Sequence, residues 1–64
     1  TQAQVRQALK RYAADPQRFA AEISELRRLF AGVFVSEEDL VRLMRVNVEE
    51  ATRRTMAAIR GEAA

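Results

Sequence analysis

The run from Val35 to Gly61, VSEEDLVRLMRVNVEEATRRTMAAIRG, constrains the fold more than any other stretch. Both of its ends carry helix signals. Ser36 is placed to cap a helix, its hydroxyl accepting from a free N–H of the first turn. Glu37, Glu38 and Asp39 follow, where negative charge complements the positive end of the helix dipole. Arg60 sits in the last turn, and Gly61 just after it suits a left-handed terminal residue. Between these limits Leu40, Val41, Met44, Val48, Ala51, Thr55, Ala58 and Ile59 fall within about 100° of arc at helical spacing. Glu38 with Arg42, Glu49 with Arg53 and Glu50 with Arg54 are favourable i,i+4 pairs, worth roughly 0.2–0.5 kcal/mol each.

Leu43 and Val46 do not share that face. One long helix would leave them exposed or would use them as a second contact surface. A turn at Arg45-Val46-Asn47 would place them better. With that turn, Ser36 to Asn47 resembles the first helix and turn of a repressor-type helix-turn-helix, and Val48-Glu49-Glu50-Ala51-Thr52-Arg53-Arg54 its recognition helix, capped by Asn47. The resemblance spans residues 23–61, roughly two thirds of the chain. It implies DNA-reading roles for Asn47, Glu50, Thr52, Arg53 and Arg54, in a transcriptional regulator or a phage or plasmid protein. The chain departs from the family pattern at Val41, where a small residue is usual, at Arg45, where glycine is usual, and at Ala51, where Val or Ile is common.

Composition sets further bounds. The chain has 64 residues and reads as one small domain, 1–64. Opening on Thr1, it also reads as a fragment or processed product of a longer protein. Hydrophobic residues make up 48% of the chain, but 12 of them are alanine and only 19 are larger. So thin a core is marginal alone, and a second chain is a natural way to complete it. Cysteine and histidine are absent, which removes disulfides and ordinary zinc sites. Net charge is +2, unevenly placed: residues 1–34 carry +3 and residues 35–64 carry −1. A DNA-reading C-terminal half is expected to hold the positive charge. No run approaches the roughly 18 apolar residues of a membrane span, so a cytoplasmic location is expected.

Read in order, Thr1 and Gln4 form a capping-box pattern at the start of a first helix. Val5, Ala8, Leu9 and Tyr12 make its apolar stripe. Arg6, Lys10 and Arg11 make a solvated face, or a basic arm for phosphate under the DNA reading. Asp15-Pro16 ends that helix and suits the cap and first residue of the next. In the second helix Phe19, Ile23, Leu26 and Phe30 form a seam, stopped by Gly32. Val33-Phe34-Val35 is an apolar connector, suited to a buried loop, to a short intersubunit strand or, through Phe34, to a partner.

Catalysis is not expected. Ser24 and Ser36 have no histidine to activate them, and no Gly-rich phosphate loop is present. The carboxylates of Glu37, Glu38 and Asp39 fan around one helical turn instead of converging on an ion. No metal, cofactor or catalytic residue is assigned. The sequence predicts an all-α, three-helix domain, with helices at about 2–14, 16–31 and 36–60, the third long or broken near 45–47. Its expected function is a non-enzymatic protein–protein interaction or oligomerisation module, with a homo-oligomer or protein partner meeting Phe19, Ile23, Leu26, Phe30, Phe34, Val41, Leu43, Met44, Val46, Val48 and Ala51. The alternative is the helix-turn-helix that binds duplex DNA.

Overall fold

The structure, a computed structural model, describes residues 1–30, 32–34 and 36–61. Its described residues form four α-helices: α1 (Gln2–Ala14), α2 (Ala20–Leu29), α3 (Glu37–Val46) and α4 (Val48–Ile59). No strand occurs among them. The fold is thus an all-α bundle, with four helices where the sequence predicts three.

The first helix follows its sequence signals closely. The Thr1 hydroxyl accepts from the Gln4 N–H at 3.3 Å, and the Gln4 side chain accepts from the Thr1 amine at 3.0 Å. At Asp15 the backbone leaves the helix (φ −143°, ψ 74°), as a residue before proline must.

The second helix starts four residues later than the expected Pro16. Residues 16–19 form a turn, and Phe19 stands at φ −107°, ψ 29°, outside the helical region. There its ring packs on Tyr12, with centroids 5.1 Å apart, and the Arg18 guanidinium lies over the Phe19 ring, 5.6 Å from its centroid. The helix ends at Leu29, Phe30 closes the last turn, and Gly32 takes the expected left-handed φ of 85°. Of the apolar connector, Phe34 is half-buried and meets Phe30 edge-on at 5.1 Å, while Val33 is half exposed. The expectation for Val35 lies outside the described residues.

The long C-terminal run is broken at one residue. Arg45 and Val46 remain in α3, so the turn expected over Arg45-Val46-Asn47 contracts to Asn47 alone. Asn47 closes one helix and opens the next. Its N–H donates to the Leu43 carbonyl at 2.8 Å, and its side chain accepts from the Glu50 N–H at 3.1 Å. Its φ is −148°, so the corner needs no left-handed residue, and Arg45 stands where the resemblance would place glycine without strain. The outer ends behave as expected: Ser36 accepts from the Asp39 N–H, and Gly61 has φ 78°.

Leu9, Ala13, Ile23, Phe30, Leu40, Val41, Met44 and Ala51 form the core, drawn from all four helices and the end of α2. Each large side chain contributes roughly 1.5–3 kcal/mol on burial. Thr52 and Thr55 are buried beside them. Their hydroxyls donate to the carbonyls of Val48 (2.7 Å) and Ala51 (2.8 Å), so neither polar group is left unsatisfied. Packing is most extensive between α1 and α4. The Arg6 guanidinium reaches Glu49 at 2.6 Å across that seam, and Arg45 Nε donates to the Ala13 carbonyl at 3.0 Å.

Candidate functional site

The side of the bundle away from the α1–α4 seam carries an open groove of about 540 Å³. One wall is the turn and first half of α2, with Pro16, Gln17, Ala20 and Ile23. The other is a single face of α3, with Glu37, Glu38, Val41, Arg42, Arg45 and Val46. Ala20 leaves space because its side chain is a methyl group. Ile23 and Val41 are buried at the floor, and Val46 stands at the rim with 78% of its surface exposed. Val46 is the most exposed large apolar side chain among the described residues, ahead of Ile59 at 61%.

The α3 wall is charged in order. Glu37 and Glu38 mark its N-terminal end and Arg42 and Arg45 the C-terminal half. Glu37 and Glu38 make no side-chain hydrogen bond or ion pair with the described residues. Arg42 pairs with Asp39 at 3.1 Å, in place of the expected Glu38, and both groups are exposed enough for the pair to be worth little. Arg45 donates its Nε hydrogen to the Ala13 carbonyl at 3.0 Å.

The residues read as a partner surface separate into three groups. Ile23, Phe30, Val41, Met44 and Ala51 are buried in the chain's own core, so a rigid partner cannot reach most of their surface. Phe19, Leu26, Phe34, Leu43 and Val48 are half-buried against that core. Val46 alone projects. Helical spacing identified an apolar face but not its occupant, and the chain's own helices occupy most of it. Leu43, which lies off the apolar face of a single long helix, is half-buried against the core.

The residues of the DNA reading also separate. Thr52 is fully buried, and its hydroxyl is committed to Val48, which withdraws it from base contact. Arg53 and Arg54 are exposed but both hydrogen-bond Glu50, at 3.1 and 2.7 Å through Nε. The hydrogen bonds from Arg53 and then Arg54 hold the Glu50 carboxyl below its ordinary value, against a smaller opposing effect of desolvation. Glu49, expected beside Arg53, instead reaches Arg6 on α1. Asn47 is exposed but serves both helix ends through its backbone and side chain.

Pro16, Gln17 and Ala20 belong to the groove and were not legible as site residues. The alternation of Glu38 and Arg42 or Arg45 along α3 was visible, though it reads equally as ordinary intrahelical pairing. Among the described residues, no group of three or more acidic, histidine or cysteine side chains is placed to hold a metal ion. No helix among them is long and apolar enough to cross a membrane. No family model, curated protein or solved structure matches the chain.

Proposed function

We propose that the chain is a non-enzymatic protein–protein interaction module whose docking surface is the groove between α2 and α3. The observation that carries this reading is Val46: a β-branched apolar side chain, 78% exposed, on the rim of an apolar-floored groove. Its removal from water has value only when another surface covers it, at about 25 cal/mol per Å² of apolar area. The charged residues along the α3 wall form the polar rim that such interfaces commonly carry.

Site-specific photo-crosslinking tests the reading. A benzophenone side chain at position 46 of the full-length protein should give a protein adduct in cells, and the same group at Lys10 should not. Ala20→Glu fills the groove with charge. It should remove the adduct while leaving the fold intact, because glutamate is favoured in a first helical turn. No adduct at position 46, or one indifferent to Ala20→Glu, overturns the reading.

A second reading, a helix-turn-helix that binds duplex DNA, is supported by the helix break at Asn47 with Arg53 and Arg54 exposed on the following helix. Fluorescence anisotropy on a labelled duplex tests it. Binding should fall steeply with salt and weaken in Arg53→Ala.

A further inference from the structure

The two ends of the α3 wall are complementary in charge to each other when reversed, while Arg42, paired with Asp39 at 3.1 Å, falls beside its own copy at the centre. Glu38 and Arg45 lie seven residues apart, about two helical turns and 10 Å along the axis, on one face. Glu37 and Val46 flank them. Both pairs share the same midpoint, between Val41 and Arg42. A second α3 laid antiparallel about a two-fold axis through that midpoint would bring each Glu38 opposite an Arg45 and each Val46 opposite the aliphatic stem of a Glu37. Two contacts would then form twice, once on each side of the axis, as an isologous interface requires. The antiparallel arrangement also opposes the two helix dipoles favourably. Parallel packing would instead set Glu38 against Glu38 and Arg45 against Arg45.

The acidic end is uncommitted among the described residues. Glu37 and Glu38 have no side-chain partner among the described residues, and both line the groove. Arg45 lines the same groove, and its Nε donates to the Ala13 carbonyl at 3.0 Å. The apolar part of the contact is small, essentially Val46, Ala20 and the edge of Val41, so the association belongs at the weak, transient end of protein interfaces.

We propose that the occupant of the α2–α3 groove is a second copy of this chain, paired antiparallel along α3 and held in register by reciprocal Glu38–Arg45 contacts. This rests on the reading of the groove as a protein-docking surface and names its partner.

Charge reversal followed by recombination tests the register. Sedimentation equilibrium of the purified chain should show a monomer–dimer equilibrium that weakens as salt is raised. Glu38→Arg alone and Arg45→Glu alone each place like charges opposite one another twice, and each should weaken the dimer at least tenfold. An equimolar mixture of the two restores both opposite-charge contacts and should dimerise again as a heterodimer. Because Arg45→Glu also removes the hydrogen bond to Ala13, a second measurement uses a folded background. The chain has no cysteine, and Arg42 is exposed beside the midpoint, so Arg42→Cys should form an intermolecular disulfide much faster than a Lys10→Cys control.

A wild-type chain that stays monomeric to millimolar concentration overturns the proposal, as does a dimer indifferent to Glu38→Arg or equal disulfide rates at positions 42 and 10. If the purified chain is monomeric while position 46 still crosslinks in cells to a different protein, the groove is a docking surface for that protein and only the self-pairing fails. If position 46 gives no adduct at all, the docking reading fails with it.

Discussion

The seam between α1 and α4 and the groove between α2 and α3 are built from the same kinds of residue but closed to different degrees. Along the seam, Leu9 and Ala13 of α1 are buried with Ala51 of α4, and an ion pair from Arg6 to Glu49 spans the edge. Along the groove, Ile23 and Val41 are also buried, yet the rim beside them keeps Val46 in water and leaves Glu37 and Glu38 without side-chain partners among the described residues. Small residues explain part of the contrast. On the seam, Ala13 and Ala51 let two helices approach and seal. At the groove, Ala20 and the α3 face line an open space instead of closing on each other, so the same small side chain leaves an opening. Alanine therefore marks close packing only where another element is there to pack.

The largest effect expected from this contrast comes from truncating each side at its centre. Leu9→Ala on the seam should cost roughly 2–5 kcal/mol, because the sealed surroundings cannot collapse around the lost atoms. In a chain of this size that is a large fraction of the total stability. Urea denaturation of wild type and variant measures it, with the slope showing whether the unfolding remains two-state. A loss below 1 kcal/mol would mean that the seam is as loose as the groove.

Next in size is the corner that gives both regions their shape. Asn47→Ala removes the side-chain acceptor for the Glu50 N–H, and a lost cap typically costs about 1 kcal/mol. Both α3, the groove wall, and α4, the seam, meet at this residue, so its loss should lower the denaturation midpoint and also loosen the groove. Amide exchange resolves the two: increased exchange at Glu50 and in the last turn of α3 is expected, and an unchanged rate in α3 would confine the effect to α4.

Much of this architecture was legible in the sequence, and the misses have physical reasons. Thr1 with Gln4, Ser36, Gly32 and Gly61 mark helix ends through local hydrogen bonds or backbone conformation, and local chemistry is what a sequence displays. Asp15-Pro16 marked the end of α1 equally well, but not the start of α2. Phe19 leaves the helical region where its ring meets Tyr12, a contact with a different helix. The break in the long C-terminal run was legible as an alternative and not as an outcome. Asn47 carries out both terminations without glycine or proline, the two residues that usually announce them. The groove was least legible, because it depends on which helices face one another. Arg6 with Glu49 makes the same point: 43 residues separate the partners, and nothing local pairs them.

A smaller effect is expected from acid. On the seam's helix, Arg53 and then Arg54 lower the pKa of Glu50 from its ordinary 4.5. A carboxyl depressed in the folded state stabilises that state above its unfolded pKa, and the stabilisation is lost as pH falls through the folded value. Glu50→Gln should therefore melt below wild type at pH 7, and the gap should close as pH falls below about 4.5, the ordinary value. Melting temperatures at pH 7 and pH 3 check it. A gap that widens in acid would mean that the carboxylate does not stabilise the fold through these contacts.

The smallest effect on stability separates the two regions most sharply. Val46→Ser exchanges a β-branched apolar side chain for a small polar one at a site already 78% exposed. It removes little buried surface and leaves no cavity, so the stability of the isolated chain should change by no more than about 0.5 kcal/mol. Helix propensity opposes no part of that expectation, since valine and serine rank close together. Any association through the groove should nevertheless weaken, because Val46 supplies most of its projecting apolar surface. A stability loss above 1 kcal/mol, measured below the concentration at which chains associate, would show that Val46 belongs to the chain's own core. Unchanged stability with reduced association would place the residue's value wholly in the contact it makes with another molecule.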